Sequence, residues 1–357
     1  MTKKKKYALC TLFNSVYADK GIVLYNSLER VSSEFTLYVL AMDDKCYDIL
    51  TDLKYPHLVP INLSDFENTD LLKAKSNRSF GQYCWTCASS LIKYILDTYS
   101  PEYCTYLDAD MYFYADPYIL IEELNNSGKD VSLVGHRFSW YDKQREKVLG
   151  HFCVECNTFR NSAEAKRLLN IWIGKCIEDC SAKKDGIHWG DQMYISNWAN
   201  QYDSVIESGI LGAGVAPWNI SQYKLIDSQD SKIHLKRKGQ QISLLFFHFE
   251  GITYSSKSEA NIHVYSTWGI DDRLVRLLYY PYLKQLDEIK TLLKMKYLIE
   301  PLITAHPAMV REEKESQMEK WKRRIKSIFS SQLIEIFFHG LPSNLYMSKN
   351  FVHVDRR

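Results

Sequence analysis

An α/β fold, a sheet flanked by helices, is what this 357-residue sequence predicts. Short apolar runs alternate with amphipathic segments through its first half, which implies βαβ units. Acidic caps and Ser-Pro or Asp-Pro breaks separate them. The composition agrees: 46% hydrophobic and 25% charged residues are ordinary globular values. They exclude a disordered chain, a collagen-like fibre and a small disulfide scaffold.

Taken in order, Tyr7–Phe13 reads as a buried strand and Ala18–Val31 as an amphipathic helix. Phe35–Ala41 is a strand, Asp43–Leu53 a helix with an acidic start, and His57–Leu63 a third strand. Gly81–Tyr99 is a longer helix stopped by Ser100-Pro101. Tyr103–Leu107 follows as a strand, Asp116–Asn125 as a helix with Pro117 in its first turn, and Val131–Gly135 as a strand. The second half is more mixed. Phe152–Phe159 reads as a strand, and Ala163–Glu178 and Asp191–Gln201 as helices. Leu211–Val215, Lys232–Leu235 and Ile242–Phe247 read as strands, and Leu274–Met295 and Glu312–Phe329 as helices. The expected plan is an α/β domain over 1–265 and a helical C-terminal extension over 266–357.

The 45 basic and 43 acidic residues nearly balance, which speaks against a nucleic-acid binder. Nine of the basic residues lie in 3–6 and 320–326, so the rest of the chain is acidic. The Lys3–Lys6 run before Tyr7 imitates a signal peptide, but its apolar stretch is short and no small-x-small cleavage site follows. No run reaches the ~18 apolar residues of a membrane span. The nine cysteines form an odd set without a framework, which favours reduced thiols and a cytoplasmic setting.

The chemistry concentrates after the Tyr103–Leu107 strand, in Asp108-Ala109-Asp110. Carboxylates at i and i+2 share one face of an extended segment. Two such charges repel unless a cation lies between them, so the pair predicts a divalent metal. His248 leaves an apolar strand and precedes Gly251, where the backbone can approach a phosphate. Together with Asp108 and Asp110 it completes a candidate metal shell. Asp191 and Gln192 follow Gly190 at a helix start; Asp191 is either a cap or a carboxylate facing substrate. Trp218, beside Asn219 after Pro217, offers a flat apolar face of the kind that suits a sugar.

The Asp-x-Asp after an apolar strand, Gly190-Asp191-Gln192, Pro217-Trp218-Asn219 and His248-x-x-Gly251, in this order, resemble GT-A-fold nucleotide-sugar glycosyltransferases, nearest in layout to bacterial family 8-like enzymes. The resemblance spans roughly residues 7–257 and implies a Rossmann-like mixed sheet. It implies that Asp108, Ala109 and Asp110 meet a Mn2+ or Mg2+ ion and the ribose-diphosphate of a nucleoside-diphosphate sugar, a UDP-sugar foremost, with His248 as third metal ligand. Thr11, Leu12, Phe13, Asn14 and Tyr17 would hold the base and ribose. Asp191 and Gln192 would face the transferred sugar and carry catalysis. Glu155 and Asn157, on the strand where the family carries Asn-Ala-Gly, would meet substrate with Trp218 and Asn219. Where the family places a lysine after His-x-x-Gly this chain has Tyr254, and Lys257 is the nearest lysine to join Gly251 at the diphosphate. The implied activity is sugar transfer to a glycan or lipid-linked acceptor in cell-surface polysaccharide synthesis. Retention is the family's stereochemistry; inversion would need a base such as Asp191 or Glu155.

Three other readings compete. A nucleotidyltransferase would need a glycine-rich basic loop after the first strand, where this chain has Asn14–Lys20. A zinc site would use Cys84-x-x-Cys87 and Cys153-x-x-Cys156, yet the second pair lies in a strand, where i and i+3 face opposite ways. The third is a non-catalytic glycan- or nucleotide-sugar-binding protein. In the tail, five basic residues in Lys320–Lys326 beside Trp321 and Ile325 suit either a solvated helix face or peripheral contact with an anionic membrane.

Overall fold

The computed structural model describes residues 7–140, 142–183, 185, 188–229, 232–256, 259–262, 270–300 and 351–353. Lys3–Lys6, Lys257, the expected helix over 312–329 and the basic segment 320–326 lie outside them. In chain order the first elements are β1 (Tyr7–Phe13), α1 (Ala18–Val31), β2 (Phe35–Ala41), α2 (Asp44–Leu53) and β3 (Leu58–Asn62). The short α3 (Leu63–Phe66) and α4 (Thr69–Lys75) lead to α5 (Phe80–Thr98), β4 (Tyr103–Leu107), β5 (Met111–Phe113), α6 (Tyr118–Ser127) and β6 (Val131–Gly135). Next come α7 (Glu146–Leu149), β7 (Phe152–Arg160), α8 (Ala163–Glu178), α9 (Trp198–Gln201) and β8 (Val205–Glu207). The remainder is β9 (Lys224–Gln229), β10 (Lys232–Arg237), β11 (Gln240–Ser243), β12 (Phe246–His248), β13 (Thr253–Ser256), β14 (Glu259–Asn261), α10 (Asp272–Tyr297) and β15 (Phe351–His353).

The main sheet has seven strands in the order β3-β2-β1-β4-β7-β6-β8. β1 runs parallel to β2 and β4, whereas β7 is antiparallel to β4 and β6, so the sheet is mixed as expected. Every residue of β1 is buried because both faces of the sheet are covered. Leu9 and Phe13 pack toward Ile22, Leu28 and Ile49 of α1 and α2. Ala8, Cys10 and Leu12 pack toward Leu91, Ile92 and Trp172 of α5 and α8. The period-2 alternation of β1 thus feeds two cores. At the other end of the chain, α10 lies against α1 and buries Tyr279 and Tyr282 with Phe247 and Phe249; the Phe249 and Tyr282 rings stack at 3.7 Å.

Three expected elements differ. Asp191–Gln201 is not one helix: a 3₁₀ turn over Gln192–Ile195 precedes α9, with a bend where Ser196 Oγ accepts from the His151 amide at 2.8 Å. Leu211–Val215 is a turn that bonds to β12 through the Gly212 and Val215 carbonyls and forms a strand-like bridge at Val215. A Cβ on Gly212 would lie 1.9 Å from the Ser243 carbonyl oxygen, so the backbone there passes too close for any side chain. Ile242–Phe247 is broken between β11 and β12. The Leu244 amide bonds back to Ile233, while the Leu245 amide turns to Gly212. β9 and the β13–β14–β15 sheet were not foreseen.

Candidate active site

Asp108, Ala109 and Asp110 follow β4 directly, at the edge where β1 also ends, because β1 and β4 are parallel. Ligands of such sheets gather beyond this edge. β5 continues from Asp110 and pairs antiparallel with β12, placing His248 opposite Met111. This pairing brings together groups 138 residues apart: His248 Nε2 lies 3.0 Å from Asp110 Oδ1 and 3.8 Å from Asp108 Oδ2. Tyr17 donates its hydroxyl to the other Asp110 oxygen at 2.9 Å. On its far side, His248 Nδ1 meets Glu155 Oε2 at 2.6 Å, and Glu155 is fully buried on β7.

Tyr17, Asp108, Asp110 and His248 line a cleft of about 610 Å3, a size that suits a small-molecule ligand. Leu12, Phe13 and Asn14 after β1 and the start of α5 line it as well. So do Trp189, Gly190, Asp191, Gln192 and Trp218. Charge crowding shows in the ionisation of the carboxyls. Desolvation, joined by the charges of Asp110 and Glu155, lifts Asp108 to about 7, although 33% of its side chain stays open to the cleft. Burial, then the charge of Asp108, lifts Asp191 to about 8. Burial alone would raise Asp110 as well, but adjacent His248 overcomes it and holds Asp110 below the usual carboxylate range. For His248, burial is outweighed by Asp110, and its pKa rises well above the ordinary imidazole value.

Five of the expected binding residues do not reach the cleft, Gly251 among them. Thr11, Asn157, Asn219 and Glu155 are fully buried. β1 and β7 are central strands covered on both faces, so both sets of alternating side chains point into protein. Asn157 bridges the irregularity between β6 and β7, accepting from the Val134 amide and donating to the Cys153 carbonyl. Asn219 pins its own loop through the His136 and Gly214 carbonyls. Trp218 does border the cleft, but only 8% of it is exposed. It is a wall rather than an open face, donating Nε1 to the His136 carbonyl at 2.9 Å and meeting His248 edge-on at 5.4 Å. Gly251, at φ +80, lines a smaller neighbouring cavity with Tyr17 and Tyr254. Gln192 donates to the Leu149 carbonyl at 2.5 Å and still borders the main cleft.

Sequence reasoning missed His136, whose burial lowers its pKa to about 4, and the face of α5 that carries Phe80 and Trp85. The α5 face was legible as apolar positions on the polar side of an amphipathic helix. All nine cysteines are free thiols. Among the described residues no four-cysteine group gathers; the one group whose donor atoms all lie within 4.8 Å of one another is Cys153, Glu155 and His248, whereas Asp108 and Asp110 each approach His248 without sharing that mutual spacing. Burial pushes the Cys153 thiol up, which keeps it protonated and makes it a poor metal ligand.

Fold and centre together define an α/β protein with a carboxylate–histidine cluster in a cleft at the carboxyl edge of its sheet. No family model matches the chain. It is 30% identical over 294 residues to the uncharacterized protein YfnD of Bacillus subtilis (strain 168), covering 79% of this chain and 90% of that protein. The chain therefore belongs to the same family as YfnD. The uncharacterized protein YfnF of the same organism is 26% identical over 278 residues, covering 76% and 90%. Among solved structures, an active-site mutant of LgtC is similar with a TM-score of 0.45 and 12% identity, covering 69% of this chain and 88% of that one. Mouse xyloside xylosyltransferase 1 in its apo form is similar with a TM-score of 0.40 and 13% identity, covering 57% and 84%. Likenesses this distant leave the activity to rest on the site itself. No described helix is long and apolar enough to cross a membrane.

Proposed function

We propose that this protein is a metal-dependent glycosyltransferase that moves a sugar from a nucleoside-diphosphate donor, a UDP-sugar foremost, to a glycan or lipid-linked acceptor in cell-surface polysaccharide synthesis. The observation that carries the reading is the convergence of Asp108, Asp110 and His248 Nε2 in one cleft. Two carboxylates and an imidazole are a donor set that suits Mn2+ or Mg2+. The raised Asp108 pKa marks negative charge that a single histidine does not balance. A divalent ion bound there would supply neutralisation of the departing nucleoside diphosphate. Glu155, facing Nδ1, fixes the imidazole so that Nε2 points at the carboxylates. Binding would release the His248 and Asp108 protons.

Around this centre Asn14, Leu12 and Phe13 would take the nucleoside, and Tyr17 would hold Asp110 in place through its 2.9 Å bond. Asp191 and Gln192 would face the transferred sugar. Burial, joined by the charge of Asp108, raises Asp191 in the metal-free protein, which favours hydrogen-bond donation to a sugar oxygen over the role of base. With Glu155 sealed behind His248, neither of these two carboxyls stands ready as an inverting base, and a retaining reaction is the reading that follows. The basic segment 320–326 would bring the protein to an anionic surface where lipid-linked acceptors reside; loss of liposome flotation on its neutralisation is the expected result.

The decisive experiment is a thermal-shift screen of nucleoside diphosphates with and without Mn2+, because a ligand of the folded state raises apparent stability. One nucleotide should stabilise the wild type only with metal, and Asp110→Ala should lose that response while melting normally. An equal nucleotide response in Asp110→Ala refutes the metal site.

A further inference from the structure

One exposed surface inside the cleft has no part in the donor reading. Phe80, Gly81, Cys84 and Trp85 occupy the i, i+1, i+4 and i+5 positions of the first turns of α5, and all four line the cleft. That spacing sets them on one helix face. Phe80 is 51% exposed and Trp85 40% exposed, unlike the sealed Trp218. Between them the surface is open: a Cβ built on Gly81 would meet nothing within 4 Å.

The shelf is rigid. Ser79 and Gln82 close a reciprocal capping box at the start of α5. Trp85 also lies against the backbone of Gly190, where a Cβ would touch the indole at 3.4 Å. Gly190 has φ +59, a conformation that favours glycine, and the next residue is Asp191. The ring is therefore seated one residue from the carboxyl that borders the same cleft.

We infer that Phe80, Gly81 and Trp85 form an acceptor subsite that takes the apolar face of a pyranose ring. This inference rests on the transferase reading and names its acceptor class as a carbohydrate. A sugar ring has C–H-bearing faces that pack on an indole and a hydroxyl rim that needs polar partners. Here the indole supplies the first, and Asp191 and Gln192, which follow the Gly190 it lies against and line the same cleft, supply the second. The donor's metal-binding groups lie deeper, at Asp108 and Asp110, so the exposed shelf at the mouth is left for the second substrate.

The test is saturation-transfer NMR with methyl glucoside, galactoside and N-acetylglucosaminide, with UDP and Mn2+ present. At least one pyranoside should bind the wild type. Trp85→Ala should weaken it about tenfold or more, as loss of one aromatic contact of about 1.4 kcal/mol implies, and Trp85→Phe should recover part. Gly81→Leu puts a side chain where a Cβ has open space, and should weaken binding similarly while the melting temperature stays near that of the wild type, which separates occlusion from misfolding. Pyranoside binding that survives both Trp85→Ala and Gly81→Leu overturns the assignment. So does a UDP-binding wild type that takes no pyranoside, or a Trp85→Ala variant that loses UDP instead, since the shelf would then hold the donor. A wild type that ignores UDP but binds a pyranoside through Trp85 refutes the transferase reading alone.

Discussion

The first part of the chain, up to β5, and the longer part beyond it contribute to the site in different ways. The first part is a run of strand–helix units whose parallel strands end at one edge, and it delivers Asp108 and Asp110 there. The second part holds strands that change direction, and it delivers Glu155, Asp191 and His248 from three separate places. The carboxylates of the first part supply charge, while the groups of the second decide which way the imidazole points and which carboxyl keeps its proton. A repetitive frame can position charge; irregular segments are needed to tune it.

If this division holds, the largest effect belongs to the first part. Asp110→Ala should lower Mn2+-dependent donor turnover about a thousandfold, measured as release of nucleoside diphosphate. A loss below tenfold would make the carboxylate incidental. Next comes the second part's contribution: Glu155→Gln should weaken Mn2+ binding by about 10–100-fold in calorimetry, as removal of a partner of a metal-bound histidine does. Asn157→Ala, two residues along β7, should instead cost about 1–3 kcal/mol of stability through the unpaired Val134 amide and leave Mn2+ affinity alone.

Acidity separates the two parts further. With Asp108 at about 7, Asp191 at about 8 and His248 raised, the metal-free folded state holds more protons than the unfolded chain. Its stability should therefore be highest on the acid side of that window and fall as pH rises from about 4 through about 8, with the His248 contribution lost above its ordinary imidazole range. Mn2+ affinity should rise over the same interval, and Asp191→Asn should flatten part of the stability slope in melts from pH 5 to 9. A melting temperature that climbs between pH 6 and 8 without metal would contradict the crowding. The smallest effect concerns the cysteines: Cys84→Ser, at a half-buried position, should shift stability by only about 0.5 kcal/mol, and purified protein should carry no stoichiometric zinc.

The same contrast explains what could be read from the chain in advance. Tyr7–Phe13 and Phe35–Ala41 announced themselves because strands buried on both faces are continuously apolar and fall between capped helices. Asp108 and Asp110 were legible because a strand ending in two carboxylates is costly without a purpose. Leu244–Phe247 misled, since four apolar residues in a row carry no period to show that the chain turns after Ser243. Glu155 and Asn157 were expected at the substrate because they lie on the strand where the resembled family carries Asn-Ala-Gly. Only the register of β7 against β4, and the bulge facing β6, reveals that both satisfy buried partners. Trp85 was weighed only as part of a cysteine pair. Its apolar face on the open side of α5 could have been read, but not its seat against Gly190, 105 positions later, a contact that local sequence does not encode.

The 138 residues between Asp110 and His248 also set an order of events on the ribosome. At about 5–20 residues per second, the second carboxylate emerges about 7–30 s before its histidine exists. During that interval the chain carries both carboxylates without the imidazole that meets them. The cluster closes only when β12 is laid beside β5, so a chain released by a ribosome that stalls in between has Asp108 and Asp110 without His248.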